Sequence, residues 1–435
     1  MSIEPFRFIH ATNVRLDEPL QRTGPLEKDA RQIAEDATLR AFDRIVESCI
    51  DRDVDFLLLT GNVFDAEAVT VRARNTLEKG LTLLCEADIP VYVTCGDSDP
   101  LTAWQSLIAD PGNLTILSST DDDPVAALRD GRVLASLFVV ATPGIDESAW
   151  SVSGPAIFRI PDTTTWQIGL LGAGSGAEIH PGETSDGPPD GVSGIDELVR
   201  IAIEGGANYL ALGEGRGPAT VKLNGGVAHD PGSPQGLGPS ESGIHGCTLV
   251  DVSSDGKARL TQLPTAAVRW ESFSIDVDDS TSWETLVETM QLQLMEAEPQ
   301  PGEQVWLIDW RLVGAGQTLQ TLGEERAQRE LVELIEAELE SVDAPRRQHR
   351  FHIEPPLAAS DAAENRAWAA WQDVLQTESG RFLGALRREV QNGDWSRSDW
   401  GRRMRHSLDN IENQQIVERS ERLGREWLGH DRERQ

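Results

Sequence analysis

The residues FRFIHATNVRLDEPL (6–20) indicate how the chain begins to fold. Phe8 and Ile9 are apolar and favour a β-strand, and small and polar residues follow them. The first strand of an α/β sheet ends in this way, and the loop after it carries side chains to the carboxyl edge of the sheet, where such folds place their sites. By position, Asn13 and Arg15 are the side chains that this loop delivers.

The next segments alternate between strand and helix patterns. Residues 27–50 and 71–87 have apolar spacings of three and four, which predict helices. The continuous apolar run at 55–59 is typical of a buried parallel strand, and 90–95 predicts another strand. The loops TGNVFD and GDSDP follow these two strands. This order indicates a doubly wound α/β fold.

Further strand patterns predict a second sheet, with a low-complexity loop at 181–194. After Trp270 the pattern changes to a small α/β segment, and no strand pattern occurs from Ser341 onward. We therefore predict a main domain at 1–270, a small α/β cap at 271–340 and a helical C-terminal region at 341–435. The strands of the second sheet are predicted at 133–142, 156–160, 167–171, 209–212, 258–263 and 268–270.

Composition limits the possible partners and compartment. The net charge is −33, which opposes nonspecific binding to nucleic acid, because such binding depends largely on phosphate neutralisation. No apolar run is long enough to span a membrane, and the first residues lack the features of a secretory signal. The four cysteines form no C-x-x-C motif. We expect an acidic, cytoplasmic protein with reduced thiols.

Four further stretches carry a family resemblance. They are FLLLTGNVFD (56–65), VYVTCGDSDP (91–100), YLALGEGR (209–216) and the Pro-Gly-Ser-Pro-Gln-Gly segment with the strand that follows it (231–250). Together with the first loop they resemble the calcineurin-like metallophosphoesterases, in the branch of SbcD-like and YhaO-like DNA repair exonucleases. The resemblance implies a four-layer α/β/β/α sandwich and a hydrolase reaction that uses two Mn or Mg ions.

The chain departs from the family at the places where the resemblance puts metal ligands. The Asp and His of the first loop are Asn13 and Arg15, and the bridging Asp is Asn62. His10 and His245 match scaffold positions outside the ligand set. The remaining degenerate site positions are Asp97, Ser98, Gly172, Glu214 and Arg216, and Asp99 is retained.

These substitutions oppose metal binding. Asn amides are neutral, and Ser98 is a poor ligand that also lacks the imidazole expected to assist the leaving group. The guanidinium groups of Arg15 and Arg216 cannot lose a proton. We therefore predict a catalytically inactive homologue, a pseudonuclease that retains no catalytic residue and no cofactor. The alternative is an active phosphodiesterase or DNA exonuclease with a relocated metal site that uses Asp97, Asp99, Glu214 or Asp65.

The two arginines have two possible roles. Asp97, Asp99 or Glu214 could pair with Arg15 and Arg216 and so brace a site that has no metals. Alternatively, the arginines could hold a phosphate group without cleaving it, since arginine suits bidentate phosphate contacts.

The C-terminal segment differs in charge from the rest of the chain. Residues 381–435 contain 12 Arg and 10 acidic residues, with Trp395, Trp400 and Trp427 among them. The resemblance implies docking on an SMC-like ATPase through these helices, and an active paralogue is another candidate partner. Packing against the chain itself is equally compatible with the pattern, and a homodimer stays open. We expect weak DNA binding and no membrane contact.

Overall fold

The computed structural model of the chain describes residues 3–117, 124–140, 165–171, 199, 202–203, 205–213, 217–223, 225–337, 339 and 345–354. The first strand is β1 (Phe6–Ala11), where the sequence predicts it, and only Arg7 in it is exposed. β1 pairs in parallel with β2 (Phe56–Thr60) and antiparallel with β11 (Gly246–Val252). It therefore lies inside a sheet, with a neighbour on each side.

The first sheet has six strands in the order β12-β11-β1-β2-β3-β4. β3 (Val91–Thr94), β4 (Leu114–Leu117) and β12 (Ala258–Pro264) complete it. β1 to β4 are mutually parallel, so their carboxyl ends meet at one edge. Every residue of β2 is buried, as expected for a central parallel strand.

Four helices follow strands of this sheet. α1 (Lys28–Glu35) and α2 (Ala37–Asp51) take the place of the single predicted helix, because Asp36 leaves the helical conformation at ψ 3°. α3 (Val71–Glu86) begins at Thr70, whose hydroxyl accepts a hydrogen bond from the amide of Ala73. α4 is Leu101–Leu107. Side chains of α2 and α3 form one hydrophobic cluster with side chains of the first sheet.

The second sheet also has six strands, in the order β5-β6-β7-β8-β10-β9. A second hydrophobic cluster joins side chains of both sheets, including Phe8, Phe56 and Tyr209. The Phe8 and Phe56 rings stack at 4.8 Å, and the edge of Tyr209 meets Phe8 at 5.4 Å. The predicted α/β class is confirmed, but two strands predicted for the second sheet belong elsewhere. Residues 258–263 lie in β12 of the first sheet, because the chain turns back after β11 and pairs antiparallel with it, and residues 268–270 begin strand β13 (Val268–Val277) of the third sheet. The strands of the second sheet are β5 (Val125–Arg129), β6 (Arg132–Val139), β7 (Trp166–Leu171), β8 (Tyr209–Leu212), β9 (Ala219–Leu223) and β10 (Gly226–Asp230).

A third sheet has the order β13-β14-β15. Its strands are β13 (Val268–Val277), β14 (Val305–Gly314) and β15 (Arg346–Glu354), and the helices between them are α5 (Trp283–Glu296), α6 (Gln317–Leu322) and α7 (Glu325–Ala337). The chain divides into two compact units. The first comprises Met1–Phe273, Leu286–Trp310 and Arg329–Phe351, and the second comprises Ser274–Thr285, Arg311–Gln328 and the residues from His352 onward.

One prediction about the C-terminal region was wrong: β15 is a strand inside the segment that was expected to contain only helices. None of its residues is fully buried, so it lacks the alternation of apolar and polar residues that reveals most strands. The domain boundaries at 270 and 340 stay predictions. The predicted strand at 156–160, the loop at 181–194 and residues 355–435 of the predicted helical region lie outside the described residues. Among the described helices, none combines the length and apolar character needed to cross a bilayer.

Candidate functional site

Three polar side chains meet at the carboxyl edge of the first sheet, as their positions after β1, β2 and β3 predict. The Ser98 hydroxyl donates to Asn62 Oδ1 at 2.7 Å, and Asn62 Nδ2 donates to Asn13 Oδ1 at 3.0 Å. The result is a directional chain of neutral groups that runs from Ser98 through Asn62 to Asn13. We call it the amide chain.

The backbone joins the first two loops of this edge. The amide of Asn13 donates to the carbonyl of Gly61 at 3.2 Å, and the amide of Arg15 donates to that of Asn62 at 3.0 Å. Asn13, Arg15 and Asn62 all have positive φ, between 48° and 53°. Asparagine adopts this left-handed conformation more readily than most residues, but an arginine there is uncommon and requires support from its surroundings.

Asp99 is a structural acid in this arrangement. It is fully buried. One oxygen accepts from the amides of Asn62 (2.9 Å) and Gly96 (2.8 Å), and the other from the amide of Val63 (2.9 Å) and the indole of Trp104 (3.3 Å). Burial raises the pKa of Asp99 to about 6, against the lowering effect of these donors. Both oxygens therefore serve to hold the loops after β2 and β3.

The structure corrects the expected partner of Arg15. Sequence analysis assigned Asp97, Asp99 or Glu214 to this role, but the guanidinium pairs with Glu241, 226 residues away, through contacts of 3.2 Å and 2.7 Å. The reason is geometric: Asp99 is occupied by amide donors, while the loop before β11 brings Glu241 to the first loop. Glu214, Arg216 and Gly172 lie outside the described residues.

Further polar groups surround this ion pair. Glu241 also accepts from the amide of Leu237 at 3.1 Å and from the hydroxyl of Ser233 at 3.3 Å. Nδ1 of His245 lies 3.0 Å from that hydroxyl, and its Nε2 lies 3.0 Å from the Glu241 carbonyl oxygen. We call Arg15, Ser233, Glu241 and His245 the edge cluster. Ser233 is 0% exposed, so its proximity to a histidine does not make it an accessible nucleophile.

The charge state of the edge cluster follows from its burial. Burial acts to raise the pKa of Glu241, but the charge and hydrogen bonds of Arg15 outweigh it and lower that pKa to about 2. Burial lowers the pKa of His245. At neutral pH the cluster is therefore one ion pair beside a neutral imidazole.

A second polar cluster lies between the two six-stranded sheets. His10 faces the Tyr209 hydroxyl and the Thr60 hydroxyl, each at 2.9 Å. His229 faces the hydroxyls of Thr220 and Thr248, each at 2.8 Å. Burial, with a contribution from His229, lowers the pKa of His10 well below its usual value, and burial lowers that of His229 to about 4. These side chains form the interior cluster, which consists of His10, Thr60, Tyr209, Thr220, His229 and Thr248.

The described side chains do not fit the two metal ions that the resemblance implies. Asn13 and Asn62 are neutral and bonded to each other, and Arg15 brings a permanent positive charge. Three of the acids considered for a relocated site are described: Asp99 is occupied by four donors, Asp65 accepts from the amide of Glu67, and Asp97 is exposed on its loop. Within the described ranges, no group of three or more His, Cys, Asp or Glu side chains could hold a metal.

Sequence reasoning missed Glu241 and the cluster around it. The only signal was its place in the family-like segment 231–250, which was treated as scaffold. Residues that pair over 226 positions leave no periodic pattern in the sequence, so only the three-dimensional structure shows that Arg15 and Glu241 are partners.

Comparisons with known proteins agree with the resemblance at the level of the superfamily. The chain is 26% identical over 285 residues to an uncharacterised metallophosphoesterase, YhaO, of Bacillus subtilis strain 168. The match spans 65% of this chain and 66% of that protein, slightly less than two thirds of its length. No model of a protein family matches the chain.

Solved structures give more distant likenesses. A dimetal phosphatase from Danio rerio is 11% identical and covers 60% of this chain and 99% of its own, with a TM-score of 0.35. A protein from Thermus thermophilus is 12% identical, with coverages of 60% and 99% and a TM-score of 0.33. An archaeal phosphodiesterase is 11% identical, with coverages of 59% and 99% and a TM-score of 0.28. By sequence, then, the chain is similar to a metallophosphoesterase over 65% of its length.

Proposed function

We propose that this chain is a non-catalytic, metallophosphoesterase-like protein, a pseudonuclease that acts as a scaffold or regulator. The observation that carries the proposal is the amide chain. At three positions where the resemblance places metal ligands, Asn13, Asn62 and Ser98 satisfy one another with neutral hydrogen bonds. Groups already paired in this way offer a divalent ion little compensation for the water that it would have to lose.

Electrostatics supports the same proposal. Two-metal hydrolysis requires anionic or neutral ligands that hold two divalent ions close together. A divalent ion about 5 Å from an unpaired guanidinium is repelled by roughly 6 kcal/mol at an effective dielectric of about 20. Glu241 neutralises Arg15, but its carboxylate is then engaged with the guanidinium and cannot also serve as a free ligand.

The proposed setting is DNA repair in the cytoplasm, beside an SMC-like ATPase or an active paralogue. This part rests on the resemblance to the SbcD-like and YhaO-like branch. The net charge of −33 favours a protein partner over direct binding to DNA, because a strongly acidic chain repels a polyanion. The segment proposed to dock, 381–435, lies outside the described residues.

Manganese calorimetry on the full chain, combined with a phosphodiesterase assay on a chromogenic diester, tests the proposal. An active two-metal phosphoesterase measured in the same buffer serves as the positive control. We expect no tight binding and no turnover above that of the buffer. Binding of about two equivalents with micromolar affinity, about −8 kcal/mol each, together with turnover, would overturn the pseudoenzyme assignment.

A further pair of variants would then identify the alternative. If manganese binds, Asp65→Asn and Asp97→Asn test for a relocated site, since each removes a carboxylate ligand with little change in shape. Loss of binding in either variant would identify that carboxylate as a metal ligand, and loss of turnover with it would establish an active enzyme with a relocated site. If both variants still bind manganese, Glu214 is the next candidate ligand to be replaced.

A further inference from the structure

Helix α5 has an apolar face that the structure does not bury. Leu286, Met290 and Leu294 recur at intervals of four residues and are buried. Leu292 and Met295 lie on another face and are 58% and 68% exposed. Two large apolar side chains at a spacing of three residues form a continuous patch on a helix.

Helix α7 extends this patch. It buries Leu331 and Ile335 and leaves Leu334 43% exposed. The side chain of Gln291 on α5 donates to the carbonyls of Leu334 (3.0 Å) and Ile335 (3.4 Å), so the middle of α5 lies against the second half of α7. Met295 lies one turn beyond Gln291, on the same side of α5. All these residues belong to the first compact unit.

Exposed carboxylates border the apolar patch. Glu288 precedes Leu292 by four residues, and Glu330 precedes Leu334 by four, so Leu292 and Leu334 each have an acidic neighbour on their own helix face. Arg326 and Arg329 are exposed on α7 as well, but six exposed Glu side chains on α5 and α7 outnumber them. Glu333 is also exposed. We call Glu288, Leu292, Met295, Glu330, Glu333 and Leu334 the α5–α7 surface.

We propose that the α5–α7 surface binds a basic amphipathic helix of a partner protein. Two packed helices with apolar residues between them present a groove in which the apolar face of a third helix can lie. Met295 is flexible and polarisable and adapts to such a ligand. The carboxylates at the border complement Lys or Arg at the edges of the partner helix and would repel a nucleic acid. The proposal does not depend on whether the site at the first sheet is catalytic.

The methionines supply a direct test in the full chain. The protein has four methionines, of which Met290 is buried and Met295 exposed on the same helix. The probe is a designed peptide of about 18 residues, with Leu on one helical face and Lys on the other. In protein labelled with ¹³C at the methionine methyl groups, we expect the Met295 resonance to shift strongly and that of Met290 to shift little. Raising the salt from about 0.05 M to about 0.5 M should weaken binding.

Three double variants, measured by calorimetry with the same peptide, separate the apolar contribution to peptide binding from the electrostatic one. Leu292→Gln with Met295→Gln should weaken binding by about tenfold or more. Glu330→Gln with Glu333→Gln should weaken it less and reduce its salt dependence. Leu128→Gln with Val133→Gln is the matched control, because both residues are 47% exposed on a different element, the β5–β6 hairpin, and it should leave binding unchanged.

Several outcomes would overturn the proposal. One is an unshifted Met295 resonance at saturating peptide, which is measured in the unsubstituted protein and is independent of any variant that fails to fold. Equal weakening by the control pair, or equal binding of a peptide with Glu in place of Lys, would also reject it. A Met295 shift that follows the concentration of the protein alone would assign the surface to a second copy of the chain.

Discussion

The edge cluster and the interior cluster both contain buried polar side chains, but they stabilise those side chains in different ways. Both bury polar side chains that connect distant parts of the first unit. The edge cluster contains the charged pair Arg15 and Glu241, whereas the interior cluster places His10 and His229 among hydroxyl groups. Burial disfavours the charged form of each group, but the response depends on the residue type.

An arginine cannot respond to burial by losing its proton, so it requires a carboxylate. A histidine becomes neutral instead, and hydroxyl partners are then sufficient. This difference explains why a guanidinium at position 15 is accompanied by the strongly lowered pKa of Glu241, while the interior cluster contains no acid among its defined members. It also predicts that the two clusters fail under different conditions.

The largest expected effect comes from breaking the ion pair. Glu241→Ala leaves the Arg15 guanidinium, whose side chain is only 16% exposed, without its counter-charge, which should reduce the free energy of unfolding by about 3–5 kcal/mol. Urea denaturation at neutral pH measures the change. Arg74→Ala is the control, because it removes the helical pair between Arg74 and Glu78, whose side chains are partly exposed, and should cost only about 0.5 kcal/mol. A loss below about 1 kcal/mol for Glu241→Ala would show that the pair contributes little.

The same ion pair decides between the two roles of Arg15. If Arg15 holds a phosphate, sulfate should raise the melting temperature of the parent protein more than that of Arg15→Ala, by mass action on the folded state. Because Glu241 already occupies the guanidinium, we expect sulfate to affect both proteins equally. A sulfate effect confined to the parent would restore the phosphate-holding role.

Protonation should break the interior cluster first. The unfolded imidazole of His229 takes up a proton near pH 6.5, but burial lowers its folded pKa to about 4. Stability from this group is therefore complete above pH 6.5 and is lost as the pH falls to about 4, by about 3 kcal/mol. His229→Gln should flatten the dependence of unfolding free energy on pH in this window. An unchanged slope would assign the pH dependence to other groups.

The ion pair of the edge cluster should resist acid for longer than the buried histidines, which include His245 of the same cluster. The pKa of Glu241 is lowered from 4.5 to about 2, so its contribution is complete above pH 4.5 and is lost as the pH falls through about 2. Denaturation curves at pH 7, 5.5, 4 and 3 therefore separate the Glu241 contribution from that of the buried histidines, roughly within the windows set by their pKa shifts. If the Glu241 contribution to the free energy of unfolding is already lost above pH 4.5, the lowered pKa of Glu241 is contradicted.

Local patterns allowed most of the first sheet to be predicted. β1, β2 and β3 are apolar runs followed by polar loops, so their order and the meeting of Asn13, Asn62 and Ser98 followed from the geometry of parallel strands. The second sheet was less accessible, because β9 and β10 are short and their sequences mix glycine, threonine and charged residues.

Long-range partners could not be predicted. The pairing of Arg15 with Glu241 depends on how the loop before β11 returns to the first loop, and no periodicity records that path. β15 was missed for a different reason: at an edge of its sheet, a strand needs no apolar face, and its sequence is mostly polar. Apolar patterns in the sequence therefore predict helices and strands, while the ion pairs of a site follow only from the three-dimensional structure.

The backbone of the amide chain gives a smaller test. Asn62 has φ 53°, which an alanine tolerates poorly and a glycine tolerates well. Asn62→Ala and Asn62→Gly both remove the side-chain bonds to Ser98 and Asn13, so their difference isolates the backbone. We expect the alanine variant to be less stable than the glycine variant by about 1 kcal/mol in urea denaturation. Equal stabilities would show that the loop can relax out of this conformation.

The smallest effect is expected at the start of the amide chain. Ser98→Ala removes a hydroxyl that donates to Asn62 Oδ1 at 2.7 Å, and it should cost about 1 kcal/mol, since both groups are neutral and partly buried. The Ser98 amide still lies 3.4 Å from the same oxygen, which limits the loss. Ser106→Ala is the matched control, because its hydroxyl bonds only carbonyls of its own helix, α4. A cost above about 3 kcal/mol for Ser98→Ala, similar to that of breaking the ion pair, would mean that the neutral and charged parts of this edge act as one unit.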